Sequence, residues 1–206
     1  MTFLEICSII GTCEFSERGV IHMFNVGDKI VYPMHGAGII ESIEEKDVLG
    51  EKQDYYIVNM PGEVKVMVPT ARAQEIGVRD IIGKEKVSEV IKVLEENRTE
   101  TEMNWNKRYR NNMDRMKSGD IYEVADIVRN LSHKQKSRSL STGEKKMLLN
   151  AKQILVSEIV LADQMDKDAV EELVDSKIDM SYINYVGNSN EDLGTNVVST
   201  FIPYDA

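Results

Sequence analysis

Trp105 is the only tryptophan in the chain, and it stands in the polar string NWNKRYRNN, residues 104–112, beside Lys107, Arg108 and Arg110. A tryptophan bound for a core should find apolar company three and four residues away on a helix. Here those positions hold Thr101, Glu102, Arg108 and Tyr109, and only Tyr109 can pack. Two readings stay open: an anchor plugging the junction of two domains, or an exposed aromatic offered to a ligand. The second has a definite chemistry. An indole can stack on, or wedge beside, unstacked bases while neighbouring cations hold phosphates, and each such stack is worth roughly 1–3 kcal/mol. A second basic group, Lys145 and Lys146 with Lys152, opens a long helical segment and points away from its apolar face. Phosphate contact and simple solvation explain those lysines equally well.

Other reactive side chains do not assemble. His22, His35 and His133 are scattered, Ser141 and Ser157 lack the context of a nucleophile elbow, and the adjacent acidic pairs Glu44-Glu45 and Glu171-Glu172 diverge on any regular element. Cys7 and Cys13 form no metal-binding pattern and no disulfide framework. Gly36-Ala37-Gly38 precedes a strand and is no phosphate loop, since the G-x-x-x-x-G-K-[ST] pattern is absent. The chain is therefore read as no enzyme, with no catalytic residue, metal or cofactor expected.

The 206 residues carry a formal charge of −10, which opposes a simple nucleic-acid coat. Charge is unevenly placed, however. Residues 104–152 hold 12 Lys and Arg against 5 Asp and Glu, a local +7, which leaves −17 for the rest. An acidic body with one basic block favours delivery to DNA through a protein partner. No stretch approaches the ~20 apolar residues of a membrane span. The opening MTFLEICSIIGTCEF lacks a basic leader and carries Glu5, so a cytoplasmic protein without membrane contact is expected.

The elements that must position these residues read as two kinds. Residues 1–22 look like an extension. From Val26, short β-branched runs separated by turns predict strands at KIVYP, AGIIESIEEKDV, DYYIVNM and EVKVMVP, with turns at Leu49-Gly50-Glu51 and Pro61-Gly62. Gly27, Gly36 and Gly38 suit tight turns or bulges. Such strands suggest a small antiparallel Tudor/SH3-like β-barrel over residues 23–78. After Val78 the period changes. Val87, Val90, Ile91 and Leu94 share one helix face, as do Ile121, Val124, Ala125, Val128 and Leu131. Ser141 and Glu144 form a capping box opening the longest helix, and a shorter helix ends near Ile178. The fold class expected is α+β: a β domain, then a compact basic all-α domain over 79–178. The tail, 179–206, shows no period and is expected to be mobile.

The blocks VGDKIVYPMHGAGIIESIEEKDVLGEKQDYYIV, KVMVP, NWNKRYRNNMDRMKSGDIYEVADIVRNL and LSTGEKKMLLNAKQILVSEIVLA resemble successive segments of CarD/CdnL proteins, together spanning Phe24 to Ile178. That resemblance implies a bacterial transcription regulator acting as a monomer. Its barrel would bind the RNA polymerase β subunit through Lys46, Val48 and Met67. Its helical domain would contact promoter DNA at the upstream edge of the melted region through Trp105, Lys107, Arg108, Arg110, Lys145 and Lys146, stabilising the open complex. Met67 stands where some relatives carry an arginine, Met34 replaces a histidine, and Ser139 replaces a glycine. The barrel also resembles the polymerase-binding module of the transcription-repair coupling factor, whose ATPase motifs do not occur here. A stand-alone nucleic-acid binder is the alternative.

Overall fold

The computed structural model describes residues 23–48, 50–62, 64–97 and 104–191, with side chains as far as Gly187. The expected extension, with Cys7, Cys13 and His22, and the part of the expected tail after Glu191 lie outside the described residues. Leu49 of the expected 49–51 turn does so too.

Strands β1 (Lys29–Tyr32), β2 (Gly36–Val48), β3 (Glu51–Met60) and β4 (Val64–Pro69) form an antiparallel meander close to the predicted runs. A two-residue strand, β5 (Arg79–Asp80), returns to pair with β1, giving the order β4-β3-β2-β1-β5. Among the described residues no ladder joins β4 to β5, so the barrel expected from the strand spacing is instead an open five-stranded sheet. After β4 the chain passes through a 3-10 turn (Thr70–Arg72) and a one-turn helix, α1 (Ala73–Ile76). It then leaves for the helical domain three residues after β5, too soon for a closing ladder.

The pleat gives the sheet two different faces. One buries Ile30, Ile40, Tyr56, Val58, Met60 and Val68 with Phe24, and the Tyr56 hydroxyl accepts the backbone N–H groups of Met23 and Phe24 at 3.0 and 3.1 Å. Gly38 lies on this face without positive φ. A Cβ there would stand 2.6 Å from the Met60 sulfur and 2.7 Å from the Asn59 carbonyl, so its requirement is close approach rather than a turn. A bulge at Glu41 shifts the β2–β3 register between Ile40 and Ser42.

Five further helices follow: α2 (Lys84–Glu95), α3 (Trp105–Lys117), α4 (Ile121–Ser137), α5 (Thr142–Asp163) and α6 (Lys167–Glu191). The predicted stripes of α2 and α4 enter one core with Met147, Leu148, Ala151, Ile154, Leu155 and Ile159 of α5 and Val170, Val174 and Ile178 of α6. The last helix runs past its expected end near Ile178, into the expected tail, as far as Glu191. Its continuation rests on polar and aromatic contacts that a hydrophobic period does not reveal. The Ser181 hydroxyl donates to the Glu96 carbonyl at 2.6 Å, Tyr182 meets buried His133 edge-on, and Lys136 pairs with Asp179 at 2.5 Å.

Helix α5 also packs against the sheet. The Ala37 N–H donates to the buried Ser157 hydroxyl at 2.9 Å. Gly36, at φ +101°, leaves a space that a Cβ would fill 2.6 Å from that same oxygen. The turn before it carries Pro33 and then Met34 at φ +69°, the arrangement of a type II turn. The Asn150 amide donates to the Met34 carbonyl at 3.3 Å, and the Met34 side chain packs on the helical core, which helps to offset the strain of a left-handed methionine.

Candidate nucleic-acid interface

Asn104 caps α3, its side-chain oxygen accepting the N–H groups of Asn106 and Lys107 at 3.0 and 3.4 Å. The cap fixes Trp105 as the first residue of the helix, and the residue is 42% exposed. It is nevertheless fixed in place. The indole N–H donates to the Ser141 hydroxyl at 3.0 Å, and the ring stacks on Tyr109 with centroids 5.4 Å apart and planes 25° apart. Of the two readings open from sequence, the aromatic is exposed, and Tyr109 is the residue it packs on.

Ser141 belongs to the capping box of α5, as the sequence predicted: its hydroxyl accepts the Glu144 N–H at 3.3 Å while Glu144 accepts the Ser141 N–H at 3.2 Å. Glu144 does more than cap. Its buried carboxylate takes the Arg108 guanidinium at 2.7 Å and the Lys134 ammonium at 2.6 Å, joining α3, α4 and α5 at one point. Burial alone would raise this carboxyl, but hydrogen bonds from Lys134, Arg108 and Ser141 outweigh it and hold the pKa at about 2.

The predicted cations therefore divide. Arg108 is drawn inward to Glu144 and its side chain is only 11% exposed. Lys107, Arg110, Lys145 and Lys146 are exposed on the first turns of α3 and α5. Elsewhere in the basic block, Arg115 pairs with Glu123 and with Asp126, Arg129 with Asp126 and Glu96, Lys136 with Asp179 and Lys152 with Asp175. At least half of the twelve basic residues counted from sequence are thus engaged in internal ion pairs, and their charge is turned inward.

The three residues expected to meet polymerase share one face of the sheet, opposite the core. Met67 registers with Ile57 and through it with Ser42, while Lys46 and Val48 follow Ser42 at alternate positions along β2. Helix α5 meets this face at Ala37. Farther along, Met67 is 54% and Val48 39% exposed, whereas Ile57 and Tyr55 on the same face are buried. Lys46 pairs there with Glu44 at 2.5 Å, and that contact, followed by the Ser42 hydroxyl, lowers the Glu44 carboxyl.

Sequence reasoning missed the contact that ties these two surfaces together. Arg79 on β5 meets Glu158 on α5 through both guanidinium arms, at 2.7 and 2.9 Å, and also donates to the Gly119 carbonyl. Glu158 is fully buried and accepts the Ile82 N–H as well. Ser157 and Glu158 are not among the apolar residues whose spacing reveals the buried face of α5, so periodicity gives no sign of their burial. Among the described residues no group of three metal-ligating side chains assembles and no helix is long and apolar enough to cross a membrane. His35 is exposed and stacks on Tyr32.

Residues 24–82 match the family model described as the CarD-like/TRCF RID domain, and residues 89–175 match the CarD C-terminal domain. The chain is 41% identical over 138 residues to a protein of Bacillus subtilis (strain 168) named "Putative transcription factor YdeB", an alignment covering 66% of this chain and 90% of that one.

Proposed function

The chain belongs to the CarD family of transcription regulators, and from that premise we propose that it holds promoters open by bridging RNA polymerase and DNA. The open face of the sheet, with Lys46, Val48 and Met67, docks on the polymerase β subunit. The corner between α3 and α5 then presents Trp105 to the upstream edge of the melted DNA. Lys107, Arg110, Lys145 and Lys146 hold phosphates, while Arg108 supports the corner from within.

One observation carries this reading: an indole that is 42% exposed yet oriented by a hydrogen bond and a stack. A ring ordered in advance loses less entropy on meeting a base step than one that must be immobilised. The stand-alone alternative finds less support, because the exposed cations are few and the whole chain is −10. Substituting Trp105→Ala is expected to shorten the open-complex lifetime about tenfold, equivalent to ~1.4 kcal/mol, with polymerase retention in a pull-down unchanged. An unaltered lifetime with polymerase still bound would remove the wedge. Tight duplex binding in a gel shift at moderate salt without polymerase would favour the alternative.

A further inference from the structure

We infer that Ser141 is a positioning residue for Trp105: the hydroxyl that caps α5 also holds the edge of the indole, so the ring's direction is set from outside the helix that carries it. This rests on the promoter role proposed for Trp105. A serine hydroxyl has one proton to give and two lone pairs to receive with, and all three are used here. The proton goes to the Glu144 carboxylate at 3.0 Å. One lone pair takes the Glu144 N–H at 3.3 Å, and the other takes the indole N–H at 3.0 Å. Because Glu144 is anchored by Arg108 and Lys134, the hydroxyl cannot rotate without breaking a bond, and its remaining lone pair stays aimed at Trp105.

The seat beside it has the matching shape. Gly143 carries no side chain, and a Cβ there would lie 3.3 Å from Tyr109 Cε2 and 3.6 Å from Trp105 Cζ2. Both rings rest against the backbone of the first turn of α5. Tyr109 belongs to the same helix as Trp105 and stacks on one face of the ring, so the Ser141 bond is what ties the indole edge to a second element.

The test uses the full chain with Ser141→Gly, Ser141→Thr, Gly143→Ala and Trp105→Ala. Glycine is a tolerable N-cap and keeps the backbone N–H that Glu144 accepts, so the fold should persist. Since Trp105 is the only tryptophan, intrinsic fluorescence reports on it alone. In Ser141→Gly the acrylamide quenching constant should rise about twofold, anisotropy should fall, and the open-complex lifetime should drop several-fold towards that of Trp105→Ala. Ser141→Thr, which keeps the hydroxyl, should restore both readouts. Gly143→Ala should crowd Tyr109 and shift the indole emission even though alanine favours the helix, the opposite of what a purely structural role predicts. The inference is overturned if quenching, anisotropy and emission in Ser141→Gly and Gly143→Ala match the wild type. It is also overturned if Ser141→Gly keeps a full lifetime while Trp105→Ala shortens it. Should Trp105→Ala itself leave the lifetime unchanged, the promoter role fails, and the fluorescence arm still decides whether Ser141 holds the ring.

Discussion

Helix α5 carries two buried glutamates, Glu144 and Glu158, about 21 Å apart at 1.5 Å per residue, and they are used in opposite ways. Glu158 meets a single arginine from the sheet, both carboxylate oxygens matched by the two arms of Arg79. Charge is balanced, and the pair locks the sheet to the bundle across 79 positions of sequence. Glu144 meets two cations, Arg108 and Lys134, from two neighbouring helices. That node lies beneath the Trp105 corner, and exposed Lys145 and Lys146 follow Glu144 directly on α5. The Arg79 pair makes a joint between sheet and bundle; the Glu144 node makes a platform that fixes three helices at the indole. The first determines how Lys46, Val48 and Met67 sit relative to Trp105, and the second determines what Trp105 stands on.

The contrast can be broken at either glutamate. Glu158→Ala should have the largest effect, because it removes the counter-charge of Arg79, leaving that guanidinium only backbone carbonyls, and orphans the Ile82 N–H, at a cost of about 3–4 kcal/mol. Urea denaturation would check it, and the sheet and bundle should then unfold at separate midpoints. A single transition at the wild-type midpoint would show that the joint contributes little. Glu144→Gln should cost somewhat less, roughly 2–3 kcal/mol, because the amide keeps an acceptor for the cap while two cations lose their counter-charge.

This second variant also has a pH signature. A carboxyl held at about 2 against an ordinary 4.5 contributes stability that is fully present above the ordinary value and is lost as the pH falls towards the folded one. The gap between wild type and Glu144→Gln should therefore be widest at neutral pH and close between about 4.5 and about 2, as followed by circular dichroism. The smallest expected effect belongs to the platform's rim. Lys145→Ala and Lys146→Ala should change stability by less than ~0.5 kcal/mol, and each should reduce the salt slope of promoter binding in the presence of polymerase by about 1. Arg108→Ala should behave in reverse, losing stability with little change in slope, because its charge is spent inside.

Much of this organisation was legible along the chain wherever the rule is local. The stripe of α4 delimits Ile121–Ser137, the Ser141–Glu144 box marks the start of α5, and the polar surroundings of Trp105 admit only Tyr109 as a packing partner. Each of these is decided within about four residues, the reach of a helical turn, so the sequence by itself determined them. Whether the sheet closes, how far α6 runs and which cations remain at the surface are decided by partners much farther away. Arg108 finds Glu144 36 positions on, Ser181 finds Glu96 85 positions back, and Ala37 finds Ser157 120 positions on. A buried ion pair leaves no period and no motif in either segment, since its two halves look like ordinary solvated polar residues until the chain has folded. Only the tertiary structure could therefore show that Arg108 faces inward and that the tryptophan it supports is held by a serine on another helix.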